Sequence, residues 1–117
     1  MSPSLSRGDI AEALAADFLA SQGLVVVERK YRCRGGEIDL VVRDGTTLVF
    51  VEVRLRTGKA FGGALASITA AKRNRLTLAA RHYLAGLTRE PACRFDAILL
   101  DALDPARIEW LVDIDCA

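Results

Sequence analysis

The feature that most constrains the fold of this 117-residue chain is a pair of apolar segments joined by Asp44-Gly45. Residues 37–42 and 47–54 are rich in β-branched and aromatic types, and Asp-Gly between two such runs is a strong signal for a β-hairpin. Successive side chains of a strand point to opposite faces. One face is then wholly apolar, and the other face mixes apolar and charged residues: Glu37, Asp39 and Val41 in the first strand, and Leu48, Phe50, Glu52 and Arg54 in the second. Apolar residues on both faces predict a hairpin that lies centrally in a sheet and is covered on each side.

The carboxylates of this hairpin are predicted to converge. A two-residue turn at Asp44-Gly45 places Glu37 opposite Glu52 and Asp39 diagonal to Glu52, roughly 5 to 8 Å apart. A partly buried carboxylate has to be ion-paired, protonated or bound to a metal. Hard oxygen ligands favour Mg²⁺ or Mn²⁺. The alternative is a solvated sheet end, at which Arg54 pairs with Glu52 and Arg34 with Glu37.

The rest of the chain supplies two helices and three further strands. Residues 9–21 are predicted to form a helix capped by Asp9 and followed by Gly23, and residues 67–85 form a second helix whose apolar stripe extends to Leu87. Residues 24–32, 95–100 and 108–114 are predicted strands. The order α-β-β-β-α-β-β indicates an α/β protein with a mixed central β-sheet flanked by helices, in a single domain over residues 1–117.

The charges are distributed unevenly along the chain. The formal net charge is +1, but residues 29–81 contain twelve basic and four acidic residues, a surplus of eight positive charges. Three of those four acids are the converging ones, Glu37, Asp39 and Glu52. A cationic surface around a small anionic centre is suited to a phosphodiester substrate and a bound metal. The alternative is that the arginines only solvate the protein.

Two charged helix residues are placed to reach the sheet. Lys72 lies four residues after Ile68 and four before Leu76, on or beside the apolar stripe. Glu12 shares a helix side with Ala15 and Ala16. Either side chain can instead extend to water from the edge of its helix.

Other catalytic and binding classes have little support. His82 is the only histidine and has no evident Ser or Cys partner, and no glycine run has the spacing of a nucleotide-phosphate loop. The cysteines Cys33, Cys93 and Cys116 are scattered, which argues against a zinc site or a disulfide framework and fits a reducing cytoplasm. The N-terminal region resembles neither a signal peptide nor a membrane span, because acidic residues interrupt its apolar stretch.

The hairpin residues resemble those of the YraN-like family, small bacterial proteins of largely uncharacterised function. The resemblance runs from Gly8 to Trp110 and is carried by residues 35–40 (GGEIDL), residues 49–54 (VFVEVR), Lys72 in a helix and residues 94–96 (RFD). It implies the restriction-endonuclease-like fold of PD-(D/E)XK enzymes, similar to that of archaeal Holliday junction resolvases.

The resemblance also implies roles for individual residues. Asp39 and Glu52 would be metal ligands, Glu12 would correspond to the helix glutamate that resolvase-like members add to the metal site, and Glu37 would be an alternative or supporting ligand. Arg54 stands where the nuclease motif has Lys. An arginine stays protonated and holds charge or phosphate, whereas a lysine can help to deprotonate water. Lys72 or the metal is the candidate for that task.

The expected function is therefore a metal-dependent hydrolase of phosphodiesters that acts on structured or branched DNA in the cytoplasm, with Mg²⁺ or Mn²⁺ as cofactor and a homodimer as the assembly suited to a two-fold-symmetric junction. Five basic residues are expected to grip backbone phosphates without reading sequence: Arg32, Arg34, Arg56, Lys59 and Arg73. The alternatives are a non-catalytic DNA- or RNA-binding module that keeps the nuclease fold, and an interaction protein whose acids form only ion pairs.

Overall fold

A computed structural model describes residues 5–56 and 68–114 and shows the predicted order of elements. The elements are α1 (Arg7–Ser21), β1 (Val25–Cys33), β2 (Gly36–Asp44), β3 (Thr47–Leu55), α2 (Ala70–Ala85), β4 (Cys93–Leu100), a 3-10 turn (Pro105–Arg107) and β5 (Ile108–Leu111). In the part of the chain that the structure describes, neither helix is long and apolar enough to cross a membrane.

The five strands form one mixed sheet in the order β1-β2-β3-β4-β5. Among the strands of residues 5–56 and 68–114, β3 and β4 are the one parallel pair, and α2 lies in the connection between them. On one face α1 covers the sheet through Ala15 and Leu19, which pack with Val42 and Val51. On the other face, Leu76 and Ala79 of α2 pack in one cluster with the sheet residues Ile38, Val41 and Phe50. The prediction of a central hairpin with both faces covered is confirmed.

The helix starts differ from the prediction. Helix α1 begins at Arg7, two residues early, because Ser6 and not Asp9 is its N-cap. The Ser6 hydroxyl accepts a hydrogen bond from the Asp9 amide at 3.1 Å, and the Asp9 carboxylate accepts one from the Ser6 amide, which is a capping box. Helix α2 begins at Ala70 because Thr69 caps it. The predicted start at Ser67 lies outside the described residues.

The predicted end of α2 at Ala85 is confirmed, but its apolar stripe does not extend to Leu87, which is exposed beyond the helix. The last strand was predicted over residues 108–114 and ends at Leu111. Asp113 follows at φ +60, a left-handed conformation that interrupts an extended strand.

The turn of the β2–β3 hairpin lies one residue later than predicted, which shifts the pairing of the two strands by two residues. Asp44 pairs with Thr47, so the two turn residues are Gly45 and Thr46 and not Asp44 and Gly45. Gly45 adopts φ +61, which a glycine accommodates at no steric cost. Among the described residues the β2–β3 pairs end at Leu40–Val51, so the predicted pair of Glu37 with Glu52 is not formed, and Phe50 pairs with Val41.

The strict alternation predicted for β2 fails at Asp39. Ile38 packs in the α2 cluster with Val41, although the prediction placed these two residues on opposite faces. The irregularity coincides with Lys30 on β1, which lies between the pairs Arg29–Leu40 and Tyr31–Ile38 and has φ +54. A non-glycine residue at positive φ twists the strand locally, and this occurs beside the predicted metal ligand.

Candidate functional site

The carboxyl groups of Asp39 and Glu52 form the centre of the candidate site. Asp39 Oδ2 accepts a hydrogen bond from the Val53 amide at 2.8 Å, so a side chain of β2 satisfies a main-chain donor of β3 beyond the last recorded β2–β3 pair. Each carboxyl group lies close enough to the other to affect its pKa. Glu52 is buried, with 9% of its surface exposed, and Asp39 is partly buried.

Burial makes this pair hard to ionise. It raises the pKa of Asp39 to about 6, with a further contribution from the negative charges of Glu12 and Glu37. Burial, followed by the Asp39 charge, raises the pKa of Glu52 to about 8, although Arg54 opposes part of this rise. Because interacting groups titrate together, the pair holds about one proton at neutral pH. A divalent cation would replace that proton.

Glu12 of α1 lies near the pair but is ion-paired elsewhere. Its carboxylate accepts a hydrogen bond from Lys30 Nζ at 3.2 Å, and the same ammonium contacts Asp9 at 2.6 Å. Its charge nevertheless contributes to the raised pKa of Asp39. For Glu12 to ligate a cation beside Asp39, its ion pair with Lys30 has to be given up.

Two cavities beside Glu52 share the lining residues Glu37, Glu52 and Arg54. The first, on the α1 side, is also lined by Arg7, Gly8, Ala11, Glu12, Asp39, Val53 and Leu55. The second, on the α2 side, is also lined by Lys72 and Arg75. The structure therefore brings together the six residues expected at the centre of the site: Glu12, Glu37, Asp39, Glu52, Arg54 and Lys72.

The donor set fits a divalent cation held by two carboxylates. Within residues 5–56 and 68–114, no three His, Cys, Asp or Glu side chains converge as a metal-binding group. Mg²⁺ is commonly held by one or two carboxylates, with water and substrate phosphate completing its octahedron. Asp39 and Glu52 supply those two carboxylates, and their shared proton marks a place that favours a positive charge.

The predicted phosphate-gripping residues differ in their exposure and in their contacts. Arg32 pairs with Glu37 at 3.7 Å, in the place expected for Arg34, which is exposed. Arg56 is exposed and lies near Lys72, and Arg73 is partly buried on α2. Lys59 lies outside the described residues.

A close approach of α2 to β2 brings Lys72 to the site. A Cβ atom on Gly36 would overlap the Arg75 carbonyl oxygen and lie 2.9 Å from the Ala79 amide nitrogen, so only glycine permits this contact. Lys72 then faces Glu52 across the second cavity. Burial, and next the charge of Arg54, lowers the pKa of Lys72, which makes its neutral form more accessible than that of a solvated lysine.

Gly36→Ala is expected to lower the free energy of unfolding by about 1–3 kcal/mol, because the added methyl group forces α2 away from β2. Urea denaturation measures this loss. Gly86→Ala is the matched control, since a Cβ there meets only the Tyr83 oxygen at 3.5 Å and φ is negative. Equal losses in the two variants would contradict the close-packing argument.

Asp96 is a completely buried acid on β4 to which the sequence analysis assigned no role. Its carboxylate accepts hydrogen bonds from Arg94 Nε at 3.0 Å, Trp110 Nε1 at 2.9 Å and the Asp113 amide at 2.9 Å. Arg94 also contacts Asp44 at 3.0 Å. Every partner is internal, which indicates a structural role. The available signal was an acid in an otherwise apolar strand.

His82 lies at an exposed edge, as the sequence suggested. Its Nδ1 is hydrogen-bonded to the Tyr31 hydroxyl, and Tyr31 also packs edge-on against Tyr83 with ring centroids 5.1 Å apart. Tyr31 is therefore held against α2.

A mixed sheet whose central hairpin carries two buried carboxylates beside a helix lysine is compatible with a restriction-endonuclease-like core. The matches with known proteins are consistent with the resemblance seen in the sequence. The chain belongs to the uncharacterised protein family UPF0102, the YraN-like family, whose model matches residues 11–100.

Similar proteins are found in several bacteria. The chain is 56% identical over 105 residues to a UPF0102 protein of Nitrosospira multiformis, covering 90% of this chain and 88% of the relative. It is 62% identical over 108 residues to one of Cupriavidus taiwanensis, covering 91% and 79%. It is 53% identical over 111 residues to one of Nitrosomonas europaea, covering 95% and 94%. These names give a family and no activity.

Proposed function

We propose that this chain is a Mg²⁺- or Mn²⁺-dependent nuclease-like protein that hydrolyses phosphodiesters in structured or branched DNA. The observation that supports this most is the buried Glu52 beside the partly buried Asp39, in cavities that Arg54 and Lys72 also line. Burying two acids against each other costs stability. A bound cation would offset that cost, which accounts for the burial of two acids at one place.

Each central residue has a distinct task in this proposal. Asp39 and Glu52 hold the cation, and Glu12 joins them when Lys30 releases it. The cation supplies Lewis-acid activation of water and neutralises charge on the phosphate. Arg54 stabilises the negative charge that develops on the phosphoryl oxygens. Lys72, with its lowered pKa, is the group that accepts or donates a proton at Nζ.

The surrounding arginines position the substrate. Arg32, Arg34, Arg56 and Arg73, together with Lys59, bind backbone phosphates, which orients nucleic acid without reading its sequence. Selectivity then follows the shape of the nucleic acid. A homodimer matches the two-fold symmetry of a four-way junction. A cytoplasmic location is consistent with the free thiols of Cys33 and Cys93.

The second candidate function is a non-catalytic DNA- or RNA-binding module that keeps the nuclease fold. The observation that favours it is Arg54, which stands in the place of the motif lysine and offers a guanidinium fork suited to holding phosphate. Under this alternative the basic surface binds phosphates and the carboxyl pair keeps its proton.

Cleavage of a labelled four-way junction in Mn²⁺ distinguishes the two candidates. Wild-type protein is expected to cut, whereas Asp39→Asn and Glu52→Gln are expected to lose more than the roughly 10–100-fold that removal of an outer-shell metal partner costs. Glu109→Gln, at an exposed glutamate of β5, is the control and is expected to cut normally.

Other outcomes of the cleavage and binding experiments distinguish the alternatives. Junction binding that weakens with salt but leaves the DNA uncut identifies the binding module. Equal cutting by wild type and by the Asp39→Asn/Glu52→Gln double variant would rule out the metal mechanism. Binding that does not change between low and high salt would exclude a phosphate-gripping surface altogether.

A further inference from the structure

The second cavity, between the sheet end and α2, carries a surplus of positive charge. Arg54, Lys72 and Arg75 line it, against the carboxyl groups of Glu37 and Glu52. Glu37 is also engaged from outside the cavity by Arg32, at 3.7 Å. The side of the site that faces α2 is therefore suited to an anion, whereas on the α1 side four carboxylates outnumber two arginines.

Arg75 is the residue of this cavity that the proposed function does not use. It lies three residues after Lys72, so both side chains project from the same side of α2. The contact between Gly36 and the backbone of α2 at Arg75 and Ala79 holds that side against the end of β2. In the described ranges, the Arg75 side chain forms no hydrogen bond or ion pair, and the residue is exposed.

The cations of this region are close enough to repel one another. Arg54, Arg56 and Arg75 each disfavour the charged form of Lys72. Like charges gathered beside a partly desolvated lysine raise the energy of the unliganded protein. An anion bound among them would remove that cost, as a cation would between Asp39 and Glu52.

The size of the cavity limits the anion. Its volume is about 50 Å³, which is room for a few water molecules or one small oxyanion group. A nucleobase is too large for this space. Arginine presents a planar fork of donors that suits phosphate oxygens, and lysine adds a compact charge.

We propose that the second cavity is a binding site for a single phosphate group, with Arg75 as its principal donor and Lys72 and Arg54 as supporting cations. The phosphate comes either from free inorganic phosphate or from a nucleic-acid backbone. The inference goes beyond the proposed function, because it requires neither a bound cation nor cleavage.

The test is a titration of the metal-free chain with inorganic phosphate, followed by NMR of the backbone amides and the arginine Nε–H groups at constant ionic strength. Wild-type protein is expected to show saturable shifts at Arg75 and Lys72. Arg75→Gln is expected to weaken phosphate binding about tenfold or more, since a charge-assisted hydrogen bond is lost. Arg75→Lys keeps the charge but loses the fork, and is expected to fall between the two.

Arg81→Gln is the matched control, because it removes the same charge from an exposed position of the same helix outside the cavity. It is expected to change the affinity by less than about twofold. Far-ultraviolet circular dichroism checks that each variant is folded. Equal weakening by Arg75→Gln and Arg81→Gln, or the same shifts with chloride in place of phosphate, would overturn the proposal.

A further arm identifies the source of the phosphate. Competition between inorganic phosphate and a short oligothymidylate supports the site and assigns it to a nucleic-acid backbone, and phosphate binding that the oligonucleotide does not displace supports it as a site for free phosphate. The two proposals of this protein fail separately. Phosphate binding without junction cleavage removes only the nuclease, and cleavage without phosphate binding removes only this site.

Discussion

Asp96→Ala is expected to lower the free energy of unfolding by about 3–5 kcal/mol, the cost of leaving buried ionic and polar partners without their acceptor. The Asp96 carboxylate is fully buried and accepts hydrogen bonds from Arg94, Trp110 and the Asp113 amide. Its removal leaves the Arg94 guanidinium and the Trp110 indole N–H facing a cavity. The midpoint and slope of urea denaturation measure the loss.

Asp101→Ala is the matched control for this prediction. Asp101 also pairs with an arginine, Arg107, with Nε 2.8 Å from Oδ1, but both side chains are about half exposed. Exposed pairs contribute about 0–1 kcal/mol because water and salt screen them. If Asp96→Ala cost no more than Asp101→Ala, the buried network would have no structural role. Asp96 has no part in the proposed site at Asp39 and Glu52, so its removal is expected to affect stability alone.

Local patterns in the sequence were sufficient to predict the sheet and its helices. The Asp-Gly signal and two-sided apolar strands identified a covered central hairpin, and Gly23 and the helical stripe through Leu76 located both helices. These signals work because strand alternation and helix capping depend on neighbours in the chain. The capping residue of α1 was missed because Ser6 and Asp9 act together, and either alone is a plausible cap.

The carboxyl site was predicted in composition but not in register. Asp44 was assigned to the turn, whereas in the structure it remains paired with Thr47 and its carboxylate binds Arg94 from β4. That tertiary contact lies 50 residues away in sequence and leaves no local signal. The shift places Val41 and not Asp39 opposite Phe50, and it leaves Asp39 and Glu52 beyond the last β2–β3 pair.

Contacts between distant elements account for the other differences. Lys30 holds φ +54 while its ammonium binds Asp9 and Glu12 of α1, and this kink breaks the alternation of β2. Neither the kink nor the resulting capture of Glu12 can be derived from strand periodicity. The same is true of Asp96, whose donors come from β4, β5 and the segment after β5.

The raised pKa values of the carboxyl pair set the pH dependence of the metal-free protein. In the folded chain the pKa of Asp39 is about 6 and that of Glu52 about 8, whereas the ordinary values are 3.8 and 4.5. Between about pH 4 and pH 8 the folded state therefore binds more protons than the unfolded state. The free energy of unfolding falls as pH rises through this range, because stability that is complete below the unfolded pKa values is lost as the folded pair ionises.

Glu52→Gln is expected to stabilise the metal-free protein at pH 8 and to abolish its response to Mg²⁺. One pKa unit corresponds to about 1.4 kcal/mol, so removing the most perturbed group is expected to raise the free energy of unfolding at pH 8 by about 2–4 kcal/mol relative to wild type, and by much less at pH 5. Urea denaturation in chelator at both pH values measures the difference, with Glu109→Gln as the exposed control.

Mg²⁺ is expected to stabilise wild type at pH 8, because it binds the folded pair, and to leave Glu52→Gln nearly unchanged. If wild type at pH 8 were as stable as Glu52→Gln, the burial of an ionisable pair would be contradicted. If Mg²⁺ stabilised both proteins, its binding site would lie elsewhere.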